Sequence, residues 1–222
     1  MKRLLFKDRV HAGQLLAEAL MKYAGHDNLI ILGLPRGGVP VAYQVAEKLH
    51  APLDVLVVRK LGLPGWEEFA MGAIASGGVR VLNQKVIRAY GVSDEEVEHV
   101  AAAQLKELHR REQAYRGHTG TPEIKGKIVI LIDDGIATGS TIRAAVQALR
   151  QQHPERIIIA VPTAAPDSCA ALSPMVDELI ALMQPEEFAA VGQWYEDFGQ
   201  TTDAEVTELL ARAAAPETAQ TT

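Results

Sequence analysis

A single cysteine, Cys169, stands among 222 residues. No intramolecular disulfide can form, and this usage fits a reducing, cytoplasmic setting. Cys169 sits in an Ala-rich stretch with no histidine beside it, which reads as a small core residue rather than a reactive thiol. Positive charge is scarce as well: 22 Lys and Arg face 28 Asp and Glu, a formal net charge of −6. A non-specific electrostatic hold on nucleic acid is therefore not expected, although a local basic patch can still bind a small anion. No run reaches the ~18 uninterrupted apolar residues of a membrane span, so no membrane partner is expected. The opening MKRLLFKDRVHAG has basic residues with no long apolar stretch behind them and does not read as a signal peptide.

Several chemistries lack their signatures. There is no G-x-x-x-x-G-K-[ST], which excludes a P-loop NTPase, and no G-x-G-x-x-G after a strand, which excludes a dinucleotide fold. The seven histidines show no H-E-x-x-H and no Cys/His cluster; His109 and His118 read as surface residues. A G-x-S-x-G elbow is missing, so a hydrolase triad has no support. Glu67 and Glu68 are adjacent in a loop, which gives no acid/base geometry. Internal repeats and low-complexity blocks are absent.

What is present is a 48% apolar chain with room for one α/β domain and a small appendage. Asp8 can cap a first helix over roughly 8–25. Apolar runs at Leu29–Leu32, Leu53–Val58, Ile128–Ile132, Arg156–Val161 and Val176–Leu182 are too short for helices and alternate with them. Such runs mark buried parallel strands. Helices are expected near 39–49, 93–115 and 140–152, with capping boxes at Ser93/Glu96 and at Thr202/Glu205 for a last helix to about 214. Gly62, Pro64 and Gly65 break the pattern over 59–69, and two short strands are expected at 71–76 and 79–82 around Gly77-Gly78. Arg110, Arg111 and Arg116 suit either the C-terminal end of their helix or a substrate. The fold class is α/β, a parallel sheet of about five strands with helices on both faces and a small hood or lobe. Ligands then belong beyond the carboxyl ends of the strands.

The segment VILIDDGIATGST, Val129 to Thr141, carries the chemistry. A buried strand ends in Asp133 and Asp134, and the loop GIATGST opens a helix. Successive N–H groups in such a turn, with the helix N-terminus behind them, form an anion site. Gly135 and Gly139 let the backbone approach a ligand, and Thr138, Ser140 and Thr141 add hydroxyl donors. Each bond to a charged phosphate contributes roughly 1.5–3 kcal/mol. Two carboxylates have no use against phosphate. They suit sugar hydroxyls, or a hydrated Mg2+ between a sugar and a diphosphate. The other role open to a paired Asp, capping the next helix, fits the whole run less well.

This stretch resembles the signature of type I phosphoribosyltransferases. The resemblance implies that Asp133 and Asp134 meet the ribose hydroxyls and a magnesium ion, and that Gly135 and the run Ala137, Thr138, Gly139, Ser140, Thr141 hold the 5-phosphate. LGLPRGG follows the first strand where the family holds pyrophosphate, often with a strained or cis peptide; Arg36, Gly37 and Gly38 are its candidates. VVRKLGLPGWEEF is similar to the start of the family's lid, with Arg59 and Lys60 toward pyrophosphate and Trp66 and Phe69 as lid anchors or core. DRVHAG, RKLGLPGWEEFAMGAIASGG and FAAVGQWYEDFGQTTDAEV extend the likeness to a bacterial phosphoribosyltransferase-like group.

The resemblance implies one domain over 1–215, with a lid at about 59–78, a helical insertion at about 83–117 and a hood at about 184–214, before a frayed tail at 216–222. Trp194, Tyr195 and Phe198 can stack on an acceptor ring or pack the lobe. Arg36, Lys60 and Asp134 are the expected catalytic residues. Relatives acting on 6-oxopurines carry an acid where this chain has Ala137, which argues against that acceptor. The implied reaction, in nucleotide or nucleoside metabolism, uses 5-phosphoribosyl-1-pyrophosphate and Mg2+ with a nitrogenous acceptor. A regulatory binder on the same fold is the alternative. The implied partners are small molecules and, through the helix near 93–117, a second copy in a homodimer.

Overall fold

The computed structural model describes residues 5–117 and 120–215. His118 and the tail at 216–222 lie outside the described residues. Five parallel strands form the main sheet: β1 (Leu29–Gly33), β2 (Leu53–Val55), and three that follow a long excursion. The excursion holds a second, antiparallel sheet of β3 (Val58–Leu63), β4 (Trp66–Ala75) and β5 (Val79–Leu82). The main sheet resumes with β6 (Ile128–Ile132), β7 (Arg156–Thr163) and β8 (Glu178–Met183), in the order β2-β1-β6-β7-β8. The expected α/β architecture is therefore the one observed.

β1 and β6 are buried at every position. They lie side by side with both faces covered, so their apolar residues run on without alternation. Successive side chains divide between two cores. Ile30, Leu32, Val129 and Leu131 face α5 (Ser140–Arg150) and α6 (Pro166–Leu172), where Cys169 also packs. Ile31, Ile128, Ile130 and Ile132 face α1 (Arg9–Ala19) and α2 (Gly38–Leu49). Burying one such side chain contributes about 1.5–3 kcal/mol, so two dry faces hold these strands rigidly under the loops at their ends.

The excursion departs from the sequence pattern. Instead of breaking at Gly62, Pro64 and Gly65, the chain forms the hairpin β3–β4, turning at Pro64–Gly65 with Gly65 at φ 74°. A bulge at Gly62 explains the misleading signal: a Cβ there would lie 2.3 Å from Glu67 O, so glycine marks a close strand approach, not a stop. The run Leu53–Val58 also divides. Leu56 N–H still bonds Gly33 O at 3.0 Å, whereas Val58 already pairs with Ala75 in the second sheet. α1 is shorter than its apolar pattern, ending at Ala19 before a 3-10 turn at Met21–Tyr23. α3 (Gln84–Ala89), capped by the Asn83 side chain, lies within the expected helical stretch at about 83–117 and precedes its long helix as a separate short one.

α4 (Asp94–Arg116) carries the expected capping box at Ser93 and Glu96, as α7 (Asp203–Ala214) does at Thr202 and Glu205. Arg116 does not end α4 as a free cation: buried, it donates to Asp54 Oδ1 at 2.7 Å and ties the helix to β2. Among the described residues, no helix is long and apolar enough to cross a membrane.

Candidate phosphate and sugar site

The loops after β1 and β6 lie next to each other because their strands pair in register, Gly33 opposite Ile132. Leu34 N–H donates to Ile132 O at 2.9 Å and holds the loops together where the strands end. A Cβ on Gly37 would lie 2.0 Å from Asp134 Oδ2, and one on Gly38 2.9 Å from Asp133 Cα. Both glycines are thus needed for the approach to the acids. The peptide between Pro35 and Arg36 is cis. The Arg36 guanidinium is partly exposed and lies 3.9 Å from Asp203 Oδ1 at the start of α7. That oxygen also accepts from Tyr115 Oη at 2.8 Å. Burial, and then this bond, push the Tyr115 hydroxyl up to about 12.

The loop after β6 is braced from below. Ile136 N–H donates to Thr163 O at 2.9 Å, Ala165 N–H to Ile136 O at 2.8 Å, and Ser168 Oγ to Ala137 O at 2.5 Å. Gly139, at φ 69°, turns the chain into α5, whose N-terminus has no side-chain cap. Its first amides therefore face a cleft of about 190 Å3 that runs from Asp133 through Thr141, with Val191 on the rim. Backbone donors and a helix end without a protein acceptor make an anion site.

Asp133 is half-buried, and its Oδ1 accepts from Asp134 N–H at 2.9 Å. Burial raises its carboxyl well above the usual range, and the charge of Asp134 adds to this. Burial also raises Asp134, against the pull of Arg9, which donates from Nε at 2.9 Å and Nη2 at 2.8 Å to Oδ2. The two acids thus have different surroundings: Asp133 lines the cleft and Asp134 is ion-paired. Among the described residues, no group of three or more His, Cys, Asp or Glu could enclose a metal. Two carboxylates at a phosphate cleft match instead an ion such as Mg2+, which takes few protein ligands and keeps water and substrate oxygens.

Arg59 and Lys60 line a separate groove of about 550 Å3 between the β3–β4 hairpin and α4. This groove and the first cleft share Thr141. Arg59 Nε donates to Gln104 at 3.0 Å; burial lowers its pKa, and the nearby Arg111 adds repulsion. Lys60 is exposed, and Arg110 and Arg111 both pair with Glu107. At the hairpin Trp66 stacks on Phe69, and Tyr90 packs tilted against Phe69 and edge-on to Trp66; with Trp66 56% exposed, they are not core.

Trp194 and Tyr195, the hood candidates, have no open ring face. They are 6% and 5% exposed and pack with Phe6 and Ala12. Of the two uses open to these rings, stacking on an acceptor or packing the lobe, both take up packing, because the segment folds back onto α1. Tyr195 still touches the site, donating from its hydroxyl to Asp134 O at 2.6 Å. Sequence reasoning missed Arg9, Gly199 and Asp203 as neighbours of the site; the segments DRVHAG and FAAVGQWYEDFGQTTDAEV contain all three.

A family model described as the phosphoribosyl transferase domain matches residues 8–180. A Mycobacterium tuberculosis (strain H37Rv) protein with the provisional name of a phosphoribosyl transferase is 46% identical over 209 residues, 94% of this chain and 47% of that protein. The chain thus spans about half the length of the curated relatives it matches. The crystal structure of TT1426 from Thermus thermophilus is 44% identical, with a TM-score of 0.84 over 95% of this chain and 100% of that one. The bifunctional protein PyrR of Corynebacterium diphtheriae is 29% identical over 154 residues, covering 68% of this chain and 61% of PyrR.

Proposed function

The chain belongs to the phosphoribosyl transferase family, and from that premise we propose that it transfers the phosphoribosyl group of 5-phosphoribosyl-1-pyrophosphate to a nitrogenous ring. One observation carries the reading: two glycine-containing loops, at the ends of adjacent strands, meet over one pair of carboxylates. A sugar with a phosphate at one end, a diphosphate at the other and a diol between has that same arrangement of groups.

In this reading the amides of Ala137 to Thr141 take the 5-phosphate and the Thr138, Ser140 and Thr141 hydroxyls assist. Asp133 and Asp134 take the diol. Arg36 and the amides of Gly37 and Gly38 take the diphosphate. The bond from the anomeric carbon to the diphosphate oxygen breaks, and its electron pair leaves with pyrophosphate. A ring nitrogen of the acceptor supplies the pair for the new bond. Positive charge grows on the sugar as the old bond lengthens, and the two carboxylates would stabilise it. Arg36 neutralises the departing charge, with Arg59 and Lys60 brought in by the β3–β4 hairpin acting as a lid over 59–78. Closure would keep water from the anomeric carbon. Mg2+, held by Asp133 and Asp134 when bound, would supply further neutralisation of the diphosphate.

Ala137 brings no acid to the acceptor side, so a 6-oxopurine is disfavoured. The same feature favours a second reading. Among the described residues lining the cleft, Asp133, assigned in this reading to the diol, is the one acidic or basic side chain, so none is left over as general base toward the acceptor, as expected of a sensor of phosphoribosyl pyrophosphate. Pyrophosphate release from the donor with Mg2+ and a panel of bases tests both. Release with one base supports transfer. Donor binding without release on any base supports the sensor, and absence of donor binding rejects both.

A further inference from the structure

The segments DRVHAG and QWYEDFGQ have no part in the reaction just described, yet the fold brings both onto Asp134. Arg9 is the first residue of α1, and it reaches Asp134 across 125 positions of sequence. Nε and Nη2 both grip Oδ2, at 2.9 and 2.8 Å. Nη1 donates to Gly199 O at 2.6 Å. The guanidinium lies 4.0 Å from the centroid of the Phe198 ring. Phe198 in turn packs on Tyr195, whose hydroxyl holds the backbone carbonyl of Asp134.

The Arg9 and Asp134 side chains are only 12% and 14% exposed. A guanidinium with its face stacked and all three nitrogens engaged has little freedom to swing away. Both of its contacts to Asp134 fall on one oxygen, Oδ2.

We propose that Arg9 is a positioning residue of the sugar site: anchored by Phe198 and Gly199, it holds Oδ2 of Asp134 so that Oδ1 and the Asp133 carboxylate meet the ribose diol at a set angle. The inference rests on the donor-site reading above and deepens it. It assigns a role to the N-terminal and C-terminal segments together, one supplying the clamp and the other its seat. A plain stabilising ion pair would affect every ligand alike. A positioning pair affects only ligands that carry the diol.

Titration calorimetry on the full chain separates these cases. The probes are phosphoribosyl pyrophosphate and ribose 5-phosphate, which carry the diol, and inorganic pyrophosphate, which does not, each without Mg2+, so that no metal ties the control ligand to Asp133 and Asp134. Arg9→Gln is expected to weaken both ribose ligands about tenfold or more and to leave pyrophosphate within roughly twofold. Arg9→Lys, which keeps the charge but loses the fork, recovers part of the loss. Should Arg9→Gln not fold, Phe198→Leu removes the seat while keeping the charge, and the same split between ligands is expected. A folded variant that binds ribose 5-phosphate like the parent, or that loses all three ligands equally, overturns the role. If the parent binds both ribose ligands and the variants match it, Arg9 alone is refuted. If the parent binds neither ribose ligand, the donor-site reading fails and this inference with it.

Discussion

Gly37 and Asp134 are in direct apposition: a methyl group at Gly37 would lie 2.0 Å from Asp134 Oδ2, the oxygen that Arg9 holds. Gly37 has helical backbone angles, φ −61° and ψ −30°, which any residue can adopt. Its lack of a side chain is therefore a matter of space, not of conformation. Gly37→Ala is expected to push the carboxylate off its clamp at a cost of about 1–3 kcal/mol. Thermal unfolding should show the loss, and calorimetry with phosphoribosyl pyrophosphate should show weaker binding. Unchanged donor affinity in this variant would mean that Asp134 is not held where the sugar sits.

The two acids should separate when mutated singly. Asp133→Asn keeps the acceptor for the Asp134 N–H and removes a carboxylate whose charge is disfavoured by burial and by its neighbour. Its melting temperature at pH 7 should equal or exceed that of the parent, while donor affinity is lost. Asp134→Asn instead leaves the enclosed Arg9 without its counter-charge and should lose about 1–3 kcal/mol. Calorimetry and thermal melts on both single variants check the division; equal loss of stability in the two would contradict it.

Thr163 closes β7 directly beneath the loop after β6, with its methyl group toward Gly135. Its hydroxyl oxygen is buried and, among the described residues, has no hydrogen-bond partner. Thr163→Val preserves shape and removes the unpaired group, so it should stabilise the fold by about 1 kcal/mol. Donor affinity should be unchanged. A fall in binding or turnover would instead assign the hydroxyl to a ligand.

Asp177 pins the start of β8, where its Oδ2 accepts from Ile157 N–H at 2.8 Å and from Arg150 Nη2 at 3.0 Å. Partial burial would raise its pKa, but the Ile157 N–H and Arg150 outweigh that and hold the carboxyl below its ordinary value. A depressed folded pKa contributes stability above the unfolded pKa of about 4 and loses it as pH falls through the folded value. Asp177→Asn should thus cost about 1 kcal/mol at pH 7, a figure already reduced for solvent screening. The gap to the parent should close in melts taken at successively lower pH below about 4. A gap independent of pH would mean that the side chain acts through packing alone.

The parallel sheet and the loop that opens α5 were legible in the sequence because both are written in consecutive residues. Five apolar residues in a row, as at Ile128–Ile132, are forced inside on both faces of a sheet. The next residues, Asp133 to Thr141, form a turn that leads into α5 and leaves its N-terminus without a side-chain cap. The β3–β4 hairpin was obscured since Gly62, read as a stop, serves a bulge.

Local sequence fixes the parallel core and the positions of the two loops at its edge, since strand periodicity and turn backbone depend on neighbours within about ten residues. Only the tertiary structure decided which acid faces the cleft, that Trp194 and Tyr195 are packed rather than open, and that Arg9 and Phe198 stand behind Asp134. Those outcomes depend on the angles at which distant segments cross. A guanidinium finds its carboxylate through the packing of a whole helix, and no local pattern encodes that distance.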